Sequence, residues 1–281
     1  MSAQSVVQQV PDQDMDAAAV STVMPAANGK SPNISRQVRL RGSFFFSLRR
    51  CIVSTLLRWV LGILCKVDCR EYVKMLDAIA ELADGSPRGI ILAINHVNFL
   101  EVPILVAFSY PRLVTGIVNA DAWTNKFMAF LFDTYAAIPI DRSGSYFQAF
   151  RQVQLAMNEG FHMAIAPEGT RSRTGVMARG KAGVVQLALI TGAPILPLGH
   201  CGGQYFWKNL THFRRTPFVF NVGRPLRFKF PGRRPTKEEQ EIMLDELMGQ
   251  VAALLPQDMR GVYAEQALRK PEYLESFYND T

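Results

Sequence analysis

From residue 70 onward, short runs of apolar residues alternate with longer stretches in which apolar residues recur every three or four positions. Runs that are rich in Ile, Val and Leu and too short for a helix predict buried strands. Such strands are predicted at residues 89–94, 113–118, 137–140, 163–166, 195–198, 218–222 and 226–230. The helical period predicts helices at about residues 72–83, 101–109, 124–132, 146–158 and 180–191. Thr236 and Glu239 have the spacing of a capping box, which predicts another helix that continues to about Leu255. This alternation predicts an α/β fold with helices around a central sheet.

Residues 36–67 follow a different pattern, because basic residues occur there without any acidic residue. The basic positions are Arg36, Arg39, Arg41, Arg49, Arg50, Arg58 and Lys66. The apolar positions include Phe44, Phe45, Phe46 and a stripe at helical spacing made of Ile52, Val53, Leu56, Leu57, Val60, Leu61 and Leu64. A membrane-spanning helix needs about 20 consecutive, mostly apolar residues, and arginines interrupt this segment. We interpret residues 36–72 as an amphipathic helical segment that docks on an anionic membrane. The alternative is a helix that packs against its own domain.

Composition narrows the classes of partner. The net charge of +7 and the pI near 9.4 favour an anionic partner. Nucleic acid is disfavoured, because the basic residues interleave with an aliphatic stripe and not with stacking aromatics. The four cysteines are too few for a disulfide framework in 281 residues and predict a reducing compartment. Residues 1–35 lack apolar periodicity and predict a disordered tail, which leaves residues 73–281 as one large domain.

The first candidate site is the run Asn-His-Val-Asn-Phe-Leu-Glu from Asn95 to Glu101. His96 follows a predicted strand, and Glu101 begins the next predicted helix. In one continuous helix, five residues separate two side chains by about 140°, so His96 and Glu101 can meet only if the chain turns between them. A carboxylate on one ring nitrogen would fix the tautomer and leave the other nitrogen as a general base. Taken alone, this pair is more often a structural hydrogen bond.

The second candidate site is the run Ala-Pro-Glu-Gly-Thr-Arg-Ser at residues 166–172, again directly after a predicted strand. Glycine allows close backbone approach, hydroxyls and a guanidinium suit phosphate, and Arg173, Arg179 and Lys181 follow closely. This cluster predicts anion recognition. Residues 175–182 differ by one residue from a nucleotide-binding P-loop, but Ala182 occupies the position that needs Ser or Thr. We reject nucleotide binding on that ground.

The order and spacing of four sequence blocks resemble those of the glycerolipid acyltransferase family, which includes the lysophosphatidate (1-acyl-sn-glycerol-3-phosphate) acyltransferases. The blocks of that family are N-H-x4-D, a strand that ends in D-R or similar, F-P-E-G-T-R-S, and an apolar stretch with prolines. The corresponding residues here are 95–101, 138–142, 167–172 and 194–198, and the resemblance covers roughly residues 73–231. Ala166 replaces the usual Phe. Glu101 replaces the usual Asp, so we expect Glu101→Asp to preserve or raise activity and Glu101→Gln nearly to abolish it.

The resemblance implies a central mixed sheet and a direct acyl transfer. It makes His96 the general base and Glu101 the residue that orients it. The residues that it implies for binding the glycerol phosphate are Arg142, Glu168, Gly169, Thr170 and Arg171. It implies no metal and no cofactor, since acyl-CoA or acyl-carrier protein serves as co-substrate. The implied partners are a lysophospholipid acceptor, the acyl thioester donor and an anionic membrane, at the cytoplasmic face of the cell membrane.

Three alternatives stay open at this point. The acceptor could be glycerol 3-phosphate or another lysolipid, because residues that face a phosphate do not read the rest of the molecule. A lipase-like hydrolase is disfavoured by the lack of a G-x-S-x-G nucleophile motif. A non-catalytic relative that binds anionic lipid would keep the same fold and the same charge.

Overall fold

The computed structural model describes residues 44–82, 89–140, 146–229, 232–233 and 235–278. The predicted tail at 1–35 and the basic residues Arg36, Arg39 and Arg41 lie outside this part of the chain. The helices are α1 (Phe44–Leu64), α2 (Arg70–Leu82), α3 (Glu101–Ser109), α4 (Lys126–Thr134), α5 (Tyr146–Asn158), α6 (Gly183–Thr191), α7 (Phe206–Thr211) and α8 (Lys237–Ala253). The strands are β1 (Cys65–Asp68), β2 (Ile91–Ile94), β3 (Val114–Asn119), β4 (Ile138–Ile140), β5 (His162–Ile165), β6 (Ile195–Cys201), β7 (Thr216–Val222), β8 (Leu226–Phe228) and β9 (Leu274–Ser276).

The described strands form one mixed sheet in the order β1-β7-β6-β2-β5-β3-β4, with β8 and β9 paired beside β6. The pairs from β6 through β2, β5 and β3 to β4 are parallel, while β7 and β8 run antiparallel to β6. All four residues of β2 are buried, as expected for a central parallel strand with helices on both faces. The predicted α/β fold with a central mixed sheet is therefore confirmed.

Two apolar layers cover the two faces of the sheet. Ile91 and Ala93 of β2 belong to the core that includes side chains of α5, α6 and α8. Leu92 and Ile94 belong to the opposite core, which includes side chains of α1, α2 and α3. This alternation follows from the two-residue period of a strand and places the carboxyl end of β2 between both layers.

Helix α1 has two apolar faces, where the sequence pattern suggested one. Val53 and Leu61 are buried in the core, and Leu57 and Leu64 pack against it. On the outer face, large side chains are exposed at Phe44, Phe45, Leu48, Ile52, Leu56, Trp59, Val60 and Ile63. The helix therefore packs on its own domain, as in the alternative interpretation, and also presents an apolar surface, so docking on a membrane stays a prediction. In the described residues, no helix is both long and apolar enough to cross a bilayer.

Two of the arginines predicted to meet lipid point into the domain instead. The Arg50 side chain is 2% exposed, donates to the carbonyl oxygen of Arg112 and lies over the Tyr135 ring. Burial lowers the pKa of Arg50 to about 10. Arg49 donates to the carbonyl oxygen of Asp133 at 2.7 Å. These contacts fasten α1 to the domain, and Ser54 adds a hydroxyl–hydroxyl hydrogen bond of 2.9 Å to Tyr135.

Most predicted elements exist with ends shifted by a few residues. Helices α3 and α5 have the predicted bounds, and the predicted capping box of Thr236 and Glu239 begins α8. Strands β1 and β9 and helix α7 were not predicted. Strand β1 lies inside the segment interpreted as a docking helix, and its pairing with β7 brings that segment into the sheet.

Candidate functional site

His96 lies two residues beyond the end of β2, at the carboxyl edge of the parallel strands. The chain turns at Phe99 and Leu100 before α3 begins at Glu101, so the loop residue and the first helical residue face each other. The distance from His96 Nδ1 to Glu101 Oε2 is 2.7 Å. Because the carboxylate only accepts, Nδ1 carries the proton and Nε2 keeps its lone pair. The predicted meeting of these two side chains is confirmed.

The Glu101 carboxylate is held from several sides. Its side chain is 1% exposed, and Oε1 accepts the backbone N–H groups of Val97 and Asn98. Asn98 closes the same turn, because its side-chain oxygen accepts the N–H of Leu100 at 2.9 Å. A carboxylate oriented by these donors fixes the ring of His96. His96 itself keeps 23% of its side chain exposed, so the free ring nitrogen is accessible.

Glu168 joins the second motif to the first. One carboxylate oxygen accepts the His96 backbone N–H at 2.9 Å, and the other accepts the Ala178 N–H at 2.8 Å. The side chain is buried, and burial raises its pKa against the effect of these two donors. In the other direction, Ser172 donates its N–H to the His96 carbonyl oxygen at 2.7 Å. Glu168 therefore positions both loops, and the substrate contact predicted for it stays a prediction.

Gly169, Thr170 and Arg171 form the exposed rim of this loop. Gly169 has a positive φ of 71°, which favours glycine. A Cβ atom at this position would lie 3.1 Å from the Lys181 Nζ atom. Lys181 donates its backbone N–H to the Pro167 carbonyl oxygen, so its cation belongs to the same loop. The rim thus combines a close-approach backbone with at least one neighbouring cation, as the sequence predicted for an anion site.

Arg142 lies outside the described residues, so its predicted role stays a prediction.

Asn95, the first residue of the first motif, contacts strand β6. Its side chain exchanges two hydrogen bonds with the backbone of His200, at 2.9 and 2.7 Å. Asn95 thereby pins the start of the His96 loop to β6.

His200 lies among two aromatic rings and the Glu101 carboxylate, an arrangement that no sequence pattern predicted. Its ring is fully buried between Phe218 and Phe220, with ring centroids 5.0 and 4.9 Å away, and Nε2 lies 3.7 Å from Glu101 Oε1. Burial lowers the pKa of His200, against the smaller raising effect of the Glu101 carboxylate. No local motif marks this residue, because it reaches Glu101 through the pairing of β6 with β2.

The C-terminal turns pack against residues 177–180, which follow the 166–172 loop, and no sequence pattern predicts these contacts. Tyr263 accepts the Gly180 N–H on its hydroxyl at 2.8 Å, and the Met259 carbonyl oxygen accepts the Met177 N–H at 2.9 Å. Gly261 lies so close to the Met177 carbonyl that a Cβ atom would be 2.1 Å away. No cluster of three or more His, Cys, Asp or Glu suited to a metal ion occurs within the described ranges.

Comparison with known proteins connects this geometry to a family. Residues 73–200 match the family model described as Acyltransferase. A 1-acyl-sn-glycerol-3-phosphate acyltransferase of Pseudomonas aeruginosa is 38% identical over 117 residues, which cover 41% of this chain and 45% of that protein. One of Limnanthes douglasii is 27% identical over 174 residues, 61% of this chain and 57% of that protein. One of Bacillus subtilis is 24% identical over 166 residues, 59% and 81% of the two chains.

The matches with the plant and Pseudomonas relatives span about half the length of those proteins. The crystal structure of the 1-acyl-sn-glycerophosphate (LPA) acyltransferase from Thermotoga maritima aligns with a TM-score of 0.41 and 17% identity, covering 75% of this chain and 95% of that one. Residues 73–200, which match the family model, contain the His96–Glu101 pair and the 166–172 loop. Residues 73–200 therefore resemble the acyltransferase family, and this chain is similar to 1-acyl-sn-glycerol-3-phosphate acyltransferases over part of their length.

Proposed function

We propose that this protein transfers a fatty acyl group from an acyl thioester to the free hydroxyl of lysophosphatidate and so forms phosphatidate, a step of phospholipid biosynthesis. The observation that carries the proposal is the His96–Glu101 pair, with one ring nitrogen bound by a buried carboxylate and the other accessible. The 169–171 rim, attached to the same loop through Glu168, supplies the features that suit a phosphate. The relatives named above carry this activity in their names, which supports the same assignment here.

In the proposed reaction, His96 Nε2 removes the proton of the acceptor hydroxyl as its oxygen attacks the thioester carbonyl carbon. A C–O bond forms, the tetrahedral intermediate collapses, and the C–S bond breaks. The departing thiolate takes the proton from the imidazolium, so the products are an ester and a free thiol. Glu101 stabilises the imidazolium while it exists. General-base assistance of this kind contributes about 10²–10⁴-fold to the rate.

Substrate binding is proposed at the rim. Gly169 lets the backbone approach the phosphate closely, and the Arg171 guanidinium and the Lys181 ammonium supply positive charge. Thr170 adds a hydroxyl, and Arg142 completes the predicted set. The donor is proposed to be acyl-CoA or acyl-carrier protein, used as a co-substrate, with no metal or cofactor involved.

Membrane association through the outer face of α1 is part of the proposal. The side chains of Phe45, Leu56 and Trp59 are each more than half exposed there. Such a surface is larger than isolated apolar residues on a soluble protein and suits the headgroup boundary of a bilayer. We place the protein at the cytoplasmic face of the cell membrane, where thioester donors are made.

The direct test gives purified protein lysophosphatidate with a labelled acyl thioester, supplied in parallel as acyl-CoA and as acyl-carrier protein. The parent should form phosphatidate, and His96→Ala should lower kcat by at least about 10² while remaining folded. Glycerol 3-phosphate and other lysolipids serve as competing acceptors. Equal rates for the parent and His96→Ala would overturn the proposal, and so would lipid binding by the parent without any turnover.

Charge at the rim has its own matched test. Arg171→Gln should raise KM for the phosphate-bearing acceptor by about tenfold to a hundredfold, since a charged hydrogen bond contributes about 1.5–3 kcal/mol. Arg269→Gln removes the same charge from an exposed pair with Glu265 on a C-terminal turn and should leave KM unchanged. If both variants change KM equally, Arg171 has no specific role in binding.

A further inference from the structure

The helix that follows β6 presents a second apolar surface, separate from the outer face of α1. We define the lip as the five side chains Phe99, Tyr205, Trp207, Leu210 and Phe213. They are 40%, 51%, 62%, 38% and 100% exposed, respectively. Four of them come from residues 205–213, around the short helix α7, and the fifth comes from the catalytic loop.

The lip is attached rigidly to the loop that holds His96. Phe99 lies three residues after His96, and its ring stacks on Trp207 at 5.7 Å. The same ring meets the buried Phe206 edge-on at 5.7 Å, while Asn98 donates its side-chain N–H to the Gly203 carbonyl oxygen at 2.7 Å. The loop that holds His96 is therefore in direct contact with the residues that form the lip.

Phe213 adds an observation of a different kind. Its φ is 54°, in the left-handed region that non-glycine residues rarely adopt, and its side chain is completely exposed. This conformation ends α7, where Phe213 and Arg214 donate their N–H groups to the carbonyl oxygens of Leu210 and Asn209. The turn leaves a large apolar side chain in solvent, where it contributes no buried area to the fold.

The charge around the lip indicates an anionic partner. No acidic residue occurs between Glu168 and Glu238, whereas thirteen Lys and Arg residues do. Lys208, Arg214 and Arg215 lie next to the lip and are exposed. Aromatic side chains interleaved with Lys and Arg are typical of the headgroup layer of a membrane, where rings insert and cations meet anionic phosphates.

One of the basic residues beside the lip also contacts the segment after α1. The Arg215 guanidinium donates to the carbonyl oxygen of Cys65, the residue directly after α1, at 2.7 Å. This hydrogen bond attaches the chain next to the lip to the C-terminal end of α1.

We infer that the lip is a second membrane-contact surface, which inserts Trp207 and Phe213 among anionic headgroups and holds the His96 loop against the bilayer. Binding at the lip does not depend on turnover. It deepens the proposed function by stating which side of the site meets the lipid.

The experiment uses the full chain with vesicles of phosphatidylcholine, with or without about one third phosphatidylglycerol. The variant Trp207→Ser/Phe213→Ser removes apolar side chains that are not part of the core. The matched control, Val262→Ser/Leu268→Ser, removes two apolar side chains that are also largely exposed, at 62% and 81%, on the C-terminal turns. We expect the lip variant to lose at least tenfold in partition to anionic vesicles and the control to bind like the parent. A lip variant that binds as well as the parent, or a control that loses as much, overturns the inference.

A second measurement separates the lip from α1. In Trp59→Phe, the remaining tryptophans are Trp123 and Trp207. We expect emission to shift to the blue on addition of anionic vesicles, brominated lipids to quench it, and Trp207→Phe to remove both effects. Absence of quenching overturns the inference, and so does a blue shift obtained with nucleic acid or at high protein concentration without vesicles. Repetition in His96→Ala keeps the two proposals apart, because an inactive protein that still inserts Trp207 retains the lip.

Discussion

Glu101 contacts three nitrogen atoms with one carboxylate, namely His96 Nδ1 and the backbone nitrogens of Val97 and Asn98. The extra methylene relative to Asp is thus used to reach from the first turn of α3 back to the loop. This geometry reverses the expectation drawn from the family motif. Shortening the side chain in this fixed frame separates the carboxylate from its partners.

We predict that Glu101→Asp lowers kcat by about tenfold to a hundredfold, since a displacement of about 1 Å at a catalytic group has a cost of this order. Glu101→Gln should lower kcat further, because a neutral amide cannot stabilise the imidazolium. The measurement is steady-state kinetics on lysophosphatidate with unchanged donor. Activity of Glu101→Asp at or above the parent level would show that the loop follows the shorter side chain.

At this scale, the sequence predicted the His96–Glu101 pair because both residues lie within one turn of chain. It could not predict that Glu168 binds the His96 backbone, since the two positions are 72 residues apart. The contact of His200 with Glu101 could not be predicted for the same reason, because it depends on the register of β6 with β2. Contacts that depend on strand pairing have no local pattern to reveal them.

At the scale of elements, the sequence predicted that α1 is a helix but not which of its side chains face the domain. Periodicity finds an apolar stripe, but a helix that is apolar on two sides has no single stripe to orient it. Arg50 adds to the difficulty, because a buried arginine is rare and the sequence places it among residues that suit a lipid surface. Strands β1 and β9 were missed because they are short and gain their stability from pairing with β7 and β8.

The two faces of α1 can be separated by paired substitutions. Leu61 is 3% exposed and Ile63 is 55% exposed on the same helix. We predict that Leu61→Ala lowers the free energy of unfolding by about 2–5 kcal/mol, as for buried leucines in general. Ile63→Ala should change it by less than about 0.5 kcal/mol, as for surface positions.

Binding to vesicles should instead depend on the exposed residue and not on the buried one. Ile63→Ala should weaken binding roughly threefold or more, because it removes apolar area from the membrane face, while folded Leu61→Ala should bind like the parent. Chemical denaturation and vesicle flotation check the two effects. Equal responses of both variants in either assay would mean that α1 has only one functional face.

For the whole molecule, stability is tied to pH through buried histidines. His162 at the start of β5 is 7% exposed and accepts the Ile90 N–H on Nδ1. Burial, with a smaller effect of Arg112, lowers its pKa to about 4. In the unfolded chain the pKa of histidine is about 6.5. Between these values the unfolded state binds a proton that the folded state excludes.

The free energy of unfolding should therefore fall as the pH decreases from about 6.5 to about 4, by an amount on the order of 3 kcal/mol for His162 alone. His162→Gln keeps an acceptor for Ile90 and does not titrate, so it should flatten this part of the pH dependence. His200, whose pKa is also lowered, contributes in the same direction in both proteins, and Glu168, whose pKa is raised, contributes in the opposite direction. The difference between the parent and His162→Gln, measured by denaturant unfolding at several pH values, thus isolates one proton. Parallel curves for the two proteins would show that folded His162 binds a proton as readily as the unfolded chain does, so that burial does not lower its pKa.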